Sequence, residues 1–216
     1  MPIAPPTFHY EQDLRNKGYG LIAGIDEAGR GPLAGPVVAA AVILPLKDNH
    51  RWLNDIRESK QLAAERREFF YYRILESALA VGVGSVSSYV IDAKGIVTAT
   101  KMAMRQAVQA LQPTADFLLL DALNIDVKLP QQAIISGDLI SISIAAASII
   151  AKVSRDALMR GFDEVYPEYG FAQHKGYATP EHVSNLQTHG PCPIHRRSFA
   201  PVCEMIAQIA VGANRG

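Results

Sequence analysis

The sequence has little cysteine, no excess of charge and no long apolar run, and each absence excludes a class of protein. Cys192 and Cys203 are the only cysteines among 216 residues, too few for a disulfide framework and in keeping with a reducing compartment. Lys plus Arg and Asp plus Glu both number 21, so no overall field attracts nucleic acid or an acidic membrane. The chain lacks the regions of a signal peptide and the ~18 uninterrupted apolar residues of a membrane span. We therefore expect a cytoplasmic protein that holds any charged partner by a local patch.

The order of the predicted elements indicates an α/β layered domain. Two β-rich runs, GLIAGIDEA and VVAAAVIL, flank a Gly/Pro loop, which predicts an antiparallel hairpin with an acidic pair at its turn. Residues 1–19 have no periodicity and are expected to form a tail, whereas CEMIAQIAV is expected to close a loop-rich C-terminal part as a helix. Between them, apolar periodicity predicts helices over 63–80, 96–111 and 141–162, and strands in AVGVGSVSSYVI, DFLLLDAL and AIISGD.

Three predicted strands end in an aspartate: Asp26, Asp121 and Asp138. Strand ends of an α/β sheet are where distant residues converge, so the three side chains are expected to share one cleft. Glu27 follows Asp26, and both can enter the cleft only if the strand breaks at the pair, because successive strand residues point to opposite faces. The glycines directly after the pair are expected to supply that break.

A cluster of carboxylates calls for a cation. Neighbouring carboxylates raise each other's pKa unless a divalent ion neutralises them. Oxygen ligands without Cys or His favour Mg²⁺ or Mn²⁺ over Zn²⁺. The alternative, that each aspartate is a strand-end cap or a surface ion pair, is the better interpretation for one aspartate alone but not for three strand ends together.

A set of motifs from about Gly20 to Val202 resembles one family, the type II ribonucleases H or ribonuclease HII. In chain order the motifs are GIDEAGRGPLAGPVVAAAV, ESKQL, ATKMAMRQAV, LLLDAL, SGDLISISIAAASIIAKVSRD, YPEYGFAQHKGYATPEH and GPCPIHRRSFAPV. The resemblance implies an α/β fold with a ribonuclease-H-like mixed sheet flanked by helices and a small helical C-terminal appendage. The implied organisation is an N-terminal tail (1–19), a catalytic domain (20–165) and a substrate-binding appendage (166–216).

The resemblance also implies an activity. It predicts an endoribonuclease that hydrolyses the RNA strand of RNA–DNA hybrids and cuts 5′ of single ribonucleotides embedded in duplex DNA, leaving 3′-hydroxyl and 5′-phosphate. A two-metal-ion mechanism with Mn²⁺ or Mg²⁺ is implied, with Asp26, Glu27, Asp121 and Asp138 as catalytic residues and metal ligands. The expected state is a monomer without membrane contact, and a sliding clamp is a further candidate partner. The alternatives are a ribonuclease-H-like DNA nuclease and a non-catalytic hybrid-binding module.

Further residues match the substrate contacts of the family. The glycine–arginine–glycine turn reads ribose 2′-hydroxyls through backbone groups, since residues without a Cβ approach the minor groove closely. The tyrosine of HKGY matches one that in this family stacks on the sugar of the deoxynucleotide after the ribonucleotide. The implied substrate-binding residues are Gly29, Arg30, Gly31, Ser59, Lys60, Tyr177, Arg196 and Arg197.

Some positions depart from the family pattern or compete with it. Ser136 stands where many members have lysine, and Glu58 stands where aspartate is usual. Asp156 is a rival fourth ligand, but it lies one helical turn from both Lys152 and Arg160, which favours an ion-paired helix residue.

Overall fold

The computed structural model describes residues 5–46, 51–57 and 59–213 of the chain. Its centre is a five-stranded mixed sheet with the strand order β3-β2-β1-β4-β5. β1 pairs antiparallel with β2, and β2 pairs antiparallel with β3. β1 also pairs in parallel with β4, and β4 with β5. The strands are β1 (Ile22–Ala28), β2 (Val37–Ile43), β3 (Ala80–Val86), β4 (Phe117–Asp121) and β5 (Gln131–Ile134).

Helices cover both faces of the sheet, which confirms the expected fold class. None of the helices in the described ranges is both long and apolar enough to cross a membrane. The helices are α1 (His9–Asn16), α2 (Ala64–Ser77), α3 (Ser88–Lys94), α4 (Ile96–Gln109), α5 (Ile142–Val165), α6 (Phe171–His174), α7 (Pro180–His189) and α8 (Val202–Ala213). Short 3₁₀ turns span Arg51–Asp55, Ser59–Gln61, Gly137–Leu139 and Pro167–Tyr169.

Alternate residues of β1 and β4 face different helices, as the period of a strand requires. Ile25 and Leu120 pack with Met104 of α4 on one face. On the other face Leu119 packs with Ile144 of α5. The sheet is thus a buried layer between α4 and α5, and the parity of a residue on β1 or β4 decides which helix it meets.

Several elements follow the sequence prediction. The antiparallel hairpin forms, and β4 is buried through Leu120. The helices predicted over 63–80, 96–111 and 141–162 are α2, α4 and α5, and the C-terminal run forms α8.

Other elements differ from the prediction. The run AVGVGSVSSYVI is strand only to Val86, because Ser87 takes the extended conformation of a helix N-cap and α3 follows it. The loop-rich part contains α7, which Thr179 caps by accepting a hydrogen bond from the His182 amide. The N-terminal tail contains α1, whose Leu14 packs in the cluster of β1, β4 and α5.

Candidate active site

Three aspartates meet at one end of β1 and β4. Asp26 on β1 and Asp121 at the end of β4 both lie on the α5 face, and Asp138 lies in the turn that precedes α5. One carboxylate oxygen from each lies within 4.8 Å of those of the other two. The strand-end argument thus predicts which three aspartates converge.

Asp138 reaches this group from a turn and not from a strand. β5 ends at Ile134, Ser136 adopts a left-handed conformation with φ 54°, and Asp138 lies in the 3₁₀ turn Gly137–Leu139. The prediction of a strand ending in Asp138 was wrong, because the left-handed residue breaks the extended backbone first. The Gly137 amide donates a 2.8 Å hydrogen bond to Asp121 Oδ1, which ties the turn to β4.

Glu27 lies outside the aspartate group because β1 does not break at the acidic pair. The β1–β2 ladder continues through Asp26, Glu27 and Ala28, so the expected break is wrong and the two acids point to opposite faces of the strand. Glu27 instead lines the open cleft at the end of the strand. Its Oε1 lies 3.2 Å from Arg30 Nη1, and its Oε2 is buried with no hydrogen-bond partner among the described residues.

The electrostatics of the group fit a cation. Burial, followed by the charges of Glu27 and Asp121, raises the pKa of Asp26 well above its usual value. Burial also raises the pKa of Glu27, against the opposing effect of Arg30. Like charges held this close are stable together only with protons or a positive ion. The donors are carboxylate oxygens, the ligands that Mg²⁺ and Mn²⁺ prefer.

The acids border a cleft of about 920 Å³. Most of the substrate-binding residues implied by the resemblance line this cleft together with two of the acids. The residues of that set along its wall are Glu27, Gly29, Arg30, Gly31, Ser59, Lys60, Asp121 and Tyr177. Glu58 falls outside the described residues, so its departure from the family pattern has no structural counterpart here.

The two glycines of the turn have different surroundings. Gly29 has φ +93°, and a Cβ placed there would lie 2.0 Å from Arg155 Nε. Gly31 has no atom within 4 Å of the position a Cβ would take. Gly29 is therefore required by the protein's own packing, whereas Gly31 keeps open a space that belongs to the cleft.

Arg196 lies behind this turn and not on the surface. Its side chain is 0% exposed, and its guanidinium donates to the carbonyl oxygens of Gly29, Arg30 and Gly35 at 2.5 to 3.0 Å. The expected direct contact with substrate does not fit this position, because all three guanidinium nitrogens are used by main-chain carbonyls. A second buried arginine, Arg155, donates to the carbonyls of Ala34, Pro36 and Lys175.

Arg196 determines which way the peptides of the turn face. In a trans peptide the carbonyl and the N–H point in opposite directions. With the carbonyls of Gly29 and Arg30 directed at Arg196, the N–H groups of Arg30 and Gly31 point away from it. The described part of the chain offers neither N–H an acceptor. Two donors are thus available at the wall of the cleft.

Tyr177 also lines the cleft. Its side chain is 42% exposed, and the Lys152 ammonium and the Arg155 guanidinium each lie 5.9 Å from the ring centroid. The backbone of Tyr177 is held by its carbonyl, which accepts from His182 Nδ1 at 2.8 Å. The ring is therefore free to meet a ligand while its main chain is fixed.

A buried chain of neutral side chains supports that backbone. If His182 Nδ1 donates to Tyr177, its Nε2 must accept from His195 Nε2, 3.1 Å away. His195 Nδ1 then accepts from the Cys192 amide at 3.0 Å. Burial lowers the pKa of both histidines to about 4 and raises that of Cys192 to about 11. These side chains are structural; among described residues the only grouping of three or more metal-ligating side chains is the aspartate trio.

The remaining predicted residues have distinct positions. Lys60 is exposed at the cleft, whereas the Ser59 amide donates to Ser148 Oγ at 3.2 Å and the residue is buried. Arg197 is exposed, and its amide donates to Asp92 at 2.9 Å.

The rival acid, Asp156, is an ion-paired helix residue. It lies 2.7 Å from Lys152 Nζ, as the helical spacing predicts. Its second cation is Arg67, at 4.0 Å, rather than Arg160.

Sequence reasoning missed two residues that build the turn. Asp92 accepts from the backbone and hydroxyl of Ser198 as well as from Arg197, and so anchors the segment after Arg196. Arg155 lies on α5 among residues of mixed polarity, where an arginine is expected to face solvent. No signal of a single sequence marks either as buried or anchoring.

The comparisons with known proteins agree with this architecture. Residues 23–202 match the family model described as Ribonuclease HII. A Ribonuclease HII of Enterococcus faecalis is 54% identical over 197 residues, which are 91% of this chain and 76% of the relative.

Two solved structures resemble the chain in three dimensions. The ribonuclease H2 of Pyrococcus horikoshii has a TM-score of 0.75 at 25% identity and is covered over 99% of its length, with 88% of this chain. The ribonuclease HII in the PCNA complex of Archaeoglobus fulgidus has a TM-score of 0.70 at 28% identity, over 83% of this chain and 95% of that one.

Proposed function

The chain belongs to the ribonuclease HII family and is a type II ribonuclease H acting on RNA–DNA hybrids, and from this premise we propose a finer specificity. The enzyme cuts 5′ of single ribonucleotides embedded in duplex DNA, as well as within RNA strands, and leaves 3′-hydroxyl and 5′-phosphate ends. The observation that carries this proposal is the pair of N–H groups of Arg30 and Gly31, directed away from Arg196 at the wall of the cleft that the acids border.

Asp26, Asp121 and Asp138 are the proposed ligands of a divalent cation, with Glu27 as the fourth acid. Their oxygen-only donors and the raised pKa of Asp26 support this assignment. When two Mg²⁺ or Mn²⁺ ions are bound, they supply an activated water and neutralise charge on the leaving oxygen. Glu27 faces the cleft from the other side of β1, so it is suited to a different part of the metal site than the trio.

Ribose recognition falls to the turn. A 2′-hydroxyl oxygen accepts hydrogen bonds, and its presence distinguishes a ribonucleotide from a deoxyribonucleotide. Because Arg196 donates to the carbonyls of these peptides, their N–H groups are rigid donors for such an oxygen. The open space beside Gly31 gives the sugar room to approach.

Other residues hold the nucleic-acid strand next to the ribonucleotide. Tyr177 stacks on the sugar after the ribonucleotide, and Lys60 contacts a backbone phosphate, with Ser59 shaping the 3₁₀ turn that carries it. Arg197 extends the phosphate contacts from the C-terminal part, residues 166–216, which we propose as the substrate-binding appendage. Because these charges are local, the neutral chain binds nucleic acid through one surface.

A protein partner and the oligomeric state of this chain are predictions. The Archaeoglobus relative forms a complex with PCNA, which supports a sliding clamp as a candidate partner here. A monomeric enzyme in the cytoplasm is the state we expect.

The decisive experiment is cleavage of three duplexes. The first is DNA with a single embedded ribonucleotide, the second is an RNA–DNA hybrid, and the third is all DNA. Each is incubated with Mn²⁺, with Mg²⁺ and with EDTA, and the product ends are mapped. We expect cutting 5′ of the lone ribonucleotide and none in EDTA. Cutting of the all-DNA duplex would instead support the DNA nuclease, and binding without cutting would support a non-catalytic module.

A further inference from the structure

The turn that carries Asp138 has no strand of its own to hold it. β5 ends four residues earlier, at Ile134, and α5 begins at Ile142. A ligand on a strand is fixed by ladder hydrogen bonds on both sides, but a 3₁₀ turn has fewer such bonds. From the side of the site, the turn is held by the Gly137 amide on Asp121. Its other side needs a different support.

The N-terminal segment lies along that other side. The Thr7 amide donates to the carbonyl of Ile140 at 2.9 Å, and the Ile142 amide donates to the carbonyl of Thr7 at 3.2 Å. These two bonds pair residue 7 with Ser141 as an isolated parallel bridge. We call residues 7–16, the bridge and α1 together, the N-terminal strap.

Glu11 is the innermost polar residue of the strap. Its side chain is 0% exposed. Oε1 accepts from the Ser141 hydroxyl at 2.6 Å and from the Ser143 amide at 3.1 Å. Ser141 is also the N-cap of α5, because its hydroxyl accepts from the Ile144 amide. One carboxylate therefore contacts both the end of the Asp138 turn and the first turn of α5.

Burial of Glu11 is not explained by stability alone. Its second oxygen, Oε2, is buried without a hydrogen-bond partner among the described residues, as is the nearby Ser143 hydroxyl. A buried carboxylate with an unused oxygen costs stability relative to an apolar side chain of the same shape. What the carboxylate does supply is a fixed geometry at the start of α5, three residues after Asp138.

We propose that Glu11 is a positioning residue for the metal site, acting through Ser141 and Ser143 to hold the Asp138 turn. The inference rests on the proposed role of Asp138 as a metal ligand. Residue 11 lies outside residues 23–202 that match the family model. The strap holds the Asp138 turn without contacting the cation. Loss of Glu11 therefore weakens cation binding but does not change the reaction once the cation is bound.

The test uses the full chain with Glu11→Gln, which keeps the shape and replaces the carboxylate acceptor by an amide oxygen, whose hydrogen bonds to Ser141 and Ser143 are weaker. Asp13→Asn, an exposed carboxylate on the same helix, is the matched control. Mn²⁺ binding is measured by calorimetry without nucleic acid, and cleavage is measured against Mn²⁺ concentration. We expect Glu11→Gln to weaken Mn²⁺ binding roughly 10-fold, as for residues that support metal ligands. The Mn²⁺ concentration that gives half-maximal cleavage should rise by the same factor. The rate at saturating Mn²⁺ should stay near wild type, and Asp13→Asn should change neither value.

Two further variants separate the possible failures. Ser141→Ala removes one Glu11 contact and should shift Mn²⁺ affinity in the same direction, which keeps the test usable if Glu11→Gln folds poorly. The inference is overturned if Glu11→Gln and Ser141→Ala bind Mn²⁺ with unchanged affinity and differ from wild type only in a lower melting temperature. In that case loss of Mn²⁺ binding in Asp138→Asn would still support Asp138 as a ligand. Normal Mn²⁺ binding by Asp138→Asn overturns the ligand assignment itself, and the inference with it.

Discussion

Arg196 Nη1 lies 2.7 Å from the carbonyl oxygen of Arg30 and donates a hydrogen bond to it across 166 residues of sequence. The contact joins a segment near the C-terminus to the turn beside the acids. It also separates the two neighbouring arginines of the RRSF motif by role. Arg196 holds the turn from inside, and Arg197 faces solvent.

Arg196→Met should reduce the preference for ribose. Loss of a charged donor leaves buried carbonyls unpaired, which costs about 1.5 to 3 kcal/mol per hydrogen bond to a charged group, so the turn can rotate its N–H groups away. We expect cleavage at a single ribonucleotide to fall by at least roughly tenfold. The ratio of binding between ribonucleotide-containing and all-DNA duplexes should fall with it.

Arg197→Ala is the informative comparison for that variant. Loss of the proposed phosphate contact of Arg197 should weaken binding to every duplex about equally and lower its salt dependence. We therefore expect reduced affinity for both duplexes and an unchanged ratio. The same loss of ratio in both variants would contradict the division of roles.

The two glycines of the turn should respond differently to alanine. Gly31→Ala should fold like wild type, because no atom lies within 4 Å of the added Cβ, but it should cleave the single ribonucleotide slowly since the Cβ occupies the sugar's space. Gly29→Ala combines positive φ with a clash against Arg155, so its melting temperature should fall. Circular dichroism and cleavage rates measure both effects, and an unchanged rate for Gly31→Ala would make that residue structural only.

Loss of one aspartate should abolish cleavage and spare binding. Asp121→Asn or Asp138→Asn removes a ligand charge and leaves the phosphate contacts, so cleavage should fall more than roughly 100-fold, the upper limit for residues that only support a ligand. Hybrid affinity, measured in Ca²⁺, should stay near wild type. Asp156→Asn is the control: activity lost there and retained in Asp138→Asn would transfer the proposed ligand role from Asp138 to Asp156.

The sequence predicts that the three aspartates converge, but it does not predict correctly which structural element carries each of them. Asp26 and Asp121 follow from strand order, because adjacent parallel strands end at one edge of a sheet. Asp138 does not, since a left-handed residue at Ser136 ends the extended backbone, and only the tertiary structure reveals that turn.

Polarity does not indicate which charged residues of this chain are buried. Arg196 and Glu11 are charged, and charged residues are mostly exposed, yet both are 0% exposed. Their partners are carbonyls and a helix end more than a hundred residues away in sequence, and no local pattern encodes such contacts. Glu27 joins the acids in the family resemblance, but the continuous β1 ladder explains why it faces the cleft from the other side.

Tyr177→Ala should damage cutting at a single ribonucleotide more than cutting of a uniform hybrid. A lone ribonucleotide offers one 2′-hydroxyl, so recognition depends on the following sugar, where we expect the ring to contribute as in related stacking contacts, which are worth about 1 to 3 kcal/mol. That corresponds to roughly one to two decades of rate. Single-turnover rates on the two substrates measure the difference, and Tyr177→Phe should be nearly neutral if stacking dominates. Equal losses on both substrates would make Tyr177 a packing or general binding residue.

The buried histidines should make stability fall in acid. Burial lowers the pKa of His182 and His195 to about 4 in the folded protein, against an ordinary value near 6.5 in the unfolded chain. The unfolded state therefore binds more protons between those two values, and stability rises with pH across that window. The contribution is fully present above pH 6.5 and is lost as pH falls toward 4, at up to about 1.4 kcal/mol per pH unit for each imidazole.

Urea unfolding of the metal-free protein from pH 8 to pH 4 measures this contribution. Acids with raised pKa values, such as Asp26, act in the opposite direction, so the difference between wild type and His182→Gln isolates the contribution of His182. We expect that difference to be largest above pH 6.5 and to shrink toward pH 4, because wild type loses the histidine contribution in acid and the variant has less to lose. His9→Gln, an exposed histidine of α1, should follow wild type throughout. A His182→Gln difference that stays constant with pH would mean that folding does not change the pKa of His182, and would contradict its role as a neutral buried link to Tyr177.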